Sequence, residues 1–137
     1  MSYGKASVEQ YRKSAVNSAS PLQLVVMLYD GALRFMEAAK HNIEQGELYK
    51  QNENCKKAQN IISELMSTLN MEQGGEIAQN LFSLYTFAYD KLIEGNINDN
   101  PKSISEAMEV MSQLRESWVQ LEKMTAQSGA SEVQHAA

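Results

Sequence analysis

Glu37 and His41 are four positions apart, one turn of a helix, so a carboxylate and an imidazole there could grip one metal ion together. A carboxylate-bridged di-iron bundle asks for more: two Glu-x-x-His pairs and two further glutamates, all projecting inward. The chain holds only two histidines, His41 and His135, and nothing supplies the second pair. That shortage favours an exposed Glu–His pair on a helix surface over a metal centre. Cys55 is the single cysteine. As a nucleophile it would need a basic neighbour to hold the thiolate, and the sequence places none demonstrably beside it. It falls instead on an apolar stripe, the usual setting of a buried, inert thiol. Gly74-Gly75 lacks the Lys-Ser/Thr that completes a phosphate-binding loop and reads as a turn pair. No metal or cofactor is expected. A metal or redox bundle enzyme using Glu37, His41 and Cys55 stands as the alternative to a binding protein.

Composition sets the class. The 137 residues are enough for one domain with a real core, and 43% hydrophobic with 21% charged residues is ordinary globular composition. Seven glycines and two prolines leave little room for the turns of an all-β fold. A net charge of −5 with no dense Lys/Arg run argues against nucleic acid as a partner. The opening MSYGKASVEQ lacks the charged-then-apolar order of a signal peptide, and no apolar run approaches the length of a bilayer span. These features point to a cytoplasmic protein without membrane insertion. A lone cysteine excludes an internal disulfide and is compatible with a reducing compartment.

The elements that must position these residues are helical. Leu22, Val25, Tyr29, Ala32, Met36, Ala39 and Ile43 recur at alternating steps of three and four, which is one face of a helix. Ser20 can cap its start, Pro21 suits the first helical position, and Gly46 ends it. Asp30-Gly31 imitates a hairpin turn. Leu24 to Tyr29 is apolar at every position, however, and the rhythm runs through the pair, so the helix continues. Gly31 then costs about 1 kcal/mol relative to Ala, which implies close approach of a neighbour. Leu48, Cys55, Ala58, Ile62, Leu65 and Leu69 mark a second helix. A third follows Gly74-Gly75, with Ile77, Leu81, Leu84 and Ala88 as one stripe and Ala78, Tyr85 and Leu92 as another. After the loop GNINDNP, a fourth starts at Pro101 and carries Ile104, Ala107, Met111, Leu114, Trp118 and Leu121.

Four such helices joined by short loops predict an all-α fold, an antiparallel four-helix bundle crossing at about 20°. The bundle domain spans 20–125. Residues 1–19 form a short N-terminal helical segment, mobile or docking, in which Ser7 caps a stretch bearing Val8 and Tyr11. Residues 126–137, small and polar, form a disordered C-terminal tail.

The first and third helices carry more apolar surface than one bundle core needs. Leu24, Leu28, Phe35, Phe82 and Tyr89 fall outside the central stripes, and Met108 lies beside that of the fourth helix. In an isolated bundle such positions are mostly polar. An amphipathic helix from a partner, laid between two helices, would bury them. Self-association could use the same surface.

Three segments carry a family likeness: SASP with LYDGAL, covering Ser20, Pro21, Leu28, Tyr29, Asp30 and Gly31; GGEIAQNLFSLY, covering Gly74, Gly75, Ile77, Leu81 and Tyr85; and LRESW, ending at Trp118. AQNIISEL lies between the first two. In order and spacing, from about Tyr11 to Trp118, the chain resembles the FliS family of flagellin-specific export chaperones. Only Asn70 and Met71, before the paired glycines, depart from a more acidic turn. The resemblance implies a cytoplasmic helical-bundle protein, not an enzyme. Its expected partner is the C-terminal segment of flagellin, which it would keep from polymerising prematurely. It would also assist delivery to the flagellar type III export gate. Val8 and Tyr11 match the family's N-terminal apolar anchors, which imply contacts with substrate or export gate.

Overall fold

The computed structural model describes residues 20–136, with side chains described for 20–126. The N-terminal segment over residues 1–19, with Val8 and Tyr11, lies outside the described residues. Four helices follow in order: α1 (Pro21–Gln45), α2 (Leu48–Ser67), α3 (Gly75–Ile97) and α4 (Pro101–Ala136). The backbone of α4 continues through residue 126, where the sequence places the start of a tail.

Local chemistry sets the helix ends. The Ser20 hydroxyl accepts the Gln23 amide hydrogen at 3.2 Å, and the Gln23 side-chain oxygen accepts that of Ser20 at 2.9 Å, a reciprocal cap with Pro21 at the first turn. Gly46 ends α1 in the left-handed region, at φ 71°, and the Glu47 amide then reaches the Asn42 carbonyl. The glycines between α2 and α3 serve different needs. Gly75 sits at φ 53°, whereas a Cβ on Gly74 would lie 2.6 Å from both the Asn70 carbonyl oxygen and the Ala78 Cβ.

Neighbouring helices touch with their residue numbers running in opposite senses, as antiparallel packing requires. On α1 and α2, Gly31 meets Ile61 and Asn42 meets Asn54. Lys91 of α3 reaches Glu106 of α4, while Asp30 of α1 pairs with Arg115 of α4. The core holds Tyr29, Ala32, Met36 and Ala39 of α1, then Cys55, Ala58, Ile62 and Leu65 of α2. Tyr85, Ala88 and Leu92 of α3 and Ile104, Ala107 and Met111 of α4 complete it. Alanine in every helix lets the backbones approach closely. Gly31 does face a neighbour: a Cβ there would lie 3.3 Å from Ile61 Cδ1.

Three expectations change. The inward stripe of α3 is Ala78, Tyr85, Ala88 and Leu92, while Ile77 is 73% exposed and Leu84 37%. With apolar residues around most of α3, periodicity alone did not select the inward face; the positions of α2 and α4 do. Leu48 and Leu121, read as stripe residues, are exposed, Leu48 at the start of α2. Finally, α3 persists through Gly95 to Ile97, where the sequence placed a loop. Gly95 is buried, and a Cβ on it would lie 2.6 Å from Ile104 Cγ1.

Candidate functional site

An open apolar cleft of about 220 Å³ lies where the end of α2 meets the start of α3. Val25, Leu65, Leu69, Ile77, Ala78, Leu81, Tyr85 and Trp118 line it, with Thr68, Asn70 and Gly74 at its polar edge. The α2–α3 turn builds much of this wall. The glycine pair brings α3 in tightly, and the helix then presents Ile77, Ala78, Leu81 and Tyr85 at helical spacing. Ile77 stands at the rim with most of its side chain in water.

The far side of the cleft rests on a hydrogen-bonded aromatic cluster. Tyr29 of α1 and Tyr85 of α3 meet hydroxyl to hydroxyl at 2.6 Å across the bundle, both buried. The Trp118 indole N–H on α4 donates to the Tyr29 hydroxyl at 3.0 Å. Burial raises the pKa of both tyrosines, so both hydroxyls stay neutral at ordinary pH. One turn from Trp118, Arg115 pairs with Asp30, and its guanidinium is held charged by that hydrogen bond. All three motif segments therefore meet here: LYDG supplies Tyr29 and Asp30, the GGEIAQNLFSLY stretch supplies Tyr85, and LRESW supplies Arg115 and Trp118.

Outside the core, α3 carries exposed apolar side chains on two sides of the helix: Leu84 and Phe87 continue the side of Ile77, whereas Phe82 and Ile93 stand on the other. Phe82 and Phe87 are each 42% exposed, and Leu84 and Ile93 each 37%. The Lys91 ammonium lies 5.7 Å from the Phe87 ring centroid and bridges Glu94 and Glu106, at 3.1 and 3.0 Å. Ile77, Leu84 and Phe87 therefore extend the cleft along one side of α3.

The residues singled out in the sequence do not gather at one place. Leu28, Phe35, Tyr89 and Met108 are part-buried and pack against the core, and Leu24 is part-buried on α1. Phe35 lies under the Lys57 ammonium at 5.5 Å, on the α1–α2 side. Tyr89 borders a small cleft of about 150 Å³ with Ser63, Met66 and Thr86, on the α2–α3 side. Phe82 stays well exposed. Of the motif residues, Ile77, Leu81, Tyr85 and Trp118 line the cleft, whereas Ser20 and Pro21 act as a cap.

Polar contacts at the opposite end escaped the sequence reading. Gln51 is 2% exposed, and its amide donates to the Asn96 backbone and side-chain oxygens and, at 2.8 Å, to Asp99, tying α2 to the α3–α4 turn. Gln51 stands one step before Cys55, Ala58 and Ile62 on the same stripe, the cue by which its burial was legible. Buried Asn42 accepts from Asn54 at 2.7 Å and donates to Glu47 at 3.3 Å.

The residues considered for chemistry are scattered. Glu37 and His41 are exposed on α1, while Cys55 is fully buried, its thiol pushed up to about 11 by burial. Among the described residues no group of three or more His, Cys, Asp or Glu side chains could hold a metal ion. Nor is any described helix long and apolar enough to cross a membrane.

Residues 4–125 match the family described as flagellar protein FliS. The chain is 40% identical over 120 residues to a flagellar secretion chaperone FliS of Salmonella typhimurium, covering 87% of this chain and 86% of the relative. It is 36% identical over 110 residues to that of Bacillus subtilis, covering 80% and 81%. A solved structure described as a flagellar chaperone from bacteria shares the fold, with a TM-score of 0.70 at 16% identity over 88% of this chain and 98% of the other.

Proposed function

The chain belongs to the FliS family of flagellar secretion chaperones, and from that premise we propose that it is a cytoplasmic, non-enzymatic chaperone for the C-terminal segment of flagellin. The observation that carries the proposal is the apolar surface on α3: a cleft at one end, rimmed by exposed Ile77 and continued along the same side of the helix by Leu84 and Phe87. A monomer gains nothing in stability from holding such side chains in water. A partner segment that folds on them gains roughly 25 cal/mol for each Å² of apolar area buried. An amphipathic helix supplies the matching shape, with anchors at i, i+3, i+4 and i+7.

Mechanistically, the substrate segment is disordered until it binds, so ordering removes part of the gross interaction energy, on the order of 2–5 kcal/mol. The complex covers the segment that would otherwise pack into a filament, yet it stays reversible enough for hand-over to the export gate. Release needs no nucleotide, since a competing surface can displace the segment stepwise. The N-terminal segment with Val8 and Tyr11 is the proposed contact to the gate.

Co-expression with full-length flagellin, and with flagellin lacking its C-terminal segment, tests the reading. A soluble complex should co-purify only with the full-length protein. Equal recovery of both would overturn it.

A further inference from the structure

We propose that Tyr29 is a positioning residue for the binding cleft: by accepting the indole hydrogen of Trp118 it fixes the ring that forms one wall, without itself touching the occupant. The inference rests on the cleft being a seat for the flagellin segment.

Tyr29 is fully buried and does not line the cleft, whereas Trp118 does line it and is only part-buried. Packing against the edge of the core holds this part-buried indole on one side, and its polar contact sets the plane of the ring. Its one polar handle is a donor, and that donor is used here at 3.0 Å on the Tyr29 hydroxyl. The acceptor is itself anchored, because the Tyr29 oxygen meets the Tyr85 oxygen at 2.6 Å on the opposite helix. One turn back along α4, Arg115 pairs with Asp30, the residue next to Tyr29. Two adjacent residues of α1 thus grip two residues of α4 one turn apart, and the outer grip sets the plane of the cleft wall. Without the hydroxyl the ring keeps its packing on the core but loses the contact that fixes its plane, and the cleft wall is less defined before any occupant arrives. Preorganisation of this kind shows up as affinity.

Tyr29→Phe keeps the ring in the core and deletes the acceptor. The dissociation constant for the isolated flagellin C-terminal segment should rise about five- to tenfold, the net worth of one ordering hydrogen bond. Trp118 is the only tryptophan, so its fluorescence anisotropy in the unbound variant should fall. In a Trp118→Phe background, Tyr29→Phe should change the affinity less than about twofold, because a double-mutant cycle isolates the pairwise interaction. Replacing Trp118 by benzothienylalanine, which keeps the ring and lacks the N–H, repeats the test without touching the core. An affinity unchanged by Tyr29→Phe, or lost equally in the Trp118→Phe background, overturns the inference. A wild-type chain that fails to bind the segment overturns the proposed function along with it, and so separates the two failures.

Discussion

Arg115 on α4 pairs with Asp30 on α1, 85 positions away in the chain, and one turn further along α4 the Trp118 indole reaches Tyr29, the neighbour of Asp30. Two short sequence segments that look like separate signatures are thus two halves of one contact. The ion pair is 36% and 43% exposed, so its worth is that of a surface pair. Asp30→Asn or Arg115→Ala should lower stability by about 0.2–1 kcal/mol, and by less at high salt. Urea midpoints measured at low and high salt check this; a loss well above that range and insensitive to salt would contradict it.

The buried tyrosine pair gives the protein an alkaline limit. Burial raises the pKa of both hydroxyls above their ordinary value of 10.0. Unfolded tyrosines ionise near that value, so at higher pH the unfolded chain has shed protons that the native state keeps. Stability from the pair is therefore full below pH 10 and declines as the pH rises towards the folded-state values. Urea midpoints through this range should fall, and Tyr85→Phe should flatten the decline. A midpoint unchanged into strong alkali would refute the assignment.

Two helical glycines should answer differently to alanine. At Gly31 the added Cβ meets the tip of a flexible side chain at 3.3 Å, while helix propensity improves by about 1 kcal/mol, so Gly31→Ala should be close to neutral. At Gly95 the Cβ would lie 2.6 Å from Ile104 Cγ1 and 3.0 Å from a backbone carbonyl oxygen, and Gly95→Ala should destabilise by about 1–3 kcal/mol. Thermal unfolding of the two variants side by side decides; equal shifts would contradict the packing described.

Charge placed on the apolar positions should separate surface from core. Ile77→Glu alters a mostly hydrated side chain, so stability should move by less than about 0.5 kcal/mol while flagellin binding weakens. Phe35→Glu and Leu28→Glu enter positions packed on the core and should lower the melting temperature clearly. Unfolding scans paired with binding titrations show the split, and loss of stability at Ile77 comparable to that at Phe35 would reverse it.

The helices were legible because three separate cues agreed: stripes at helical spacing, Ser20-Pro21 and Gly46 at the ends of α1, and a run of apolar residues too dense for a hairpin at Asp30-Gly31. The faces were less so. On α3, stripes through Ile77 and through Ala78 are one residue apart, so both satisfy the period, and the choice depends on where α2 and α4 stand. The same ambiguity left Leu28 and Phe35 looking like spare surface, although both pack on the core. Tyr29, Tyr85 and Trp118 were readable as core residues but not as partners, since no local rule links side chains so far apart in sequence. Three polar tips on core stripes were nevertheless a cue, because a buried hydroxyl or indole N–H requires a partner.

The most direct test of the central claim is a calorimetric titration of the flagellin C-terminal segment into the wild-type chain and into the Ile77→Glu variant. The account predicts binding at micromolar concentration or tighter, a negative heat-capacity change from apolar burial, and weaker binding by the variant. No heat of binding to the wild-type chain, or equal affinity for both proteins, would contradict it.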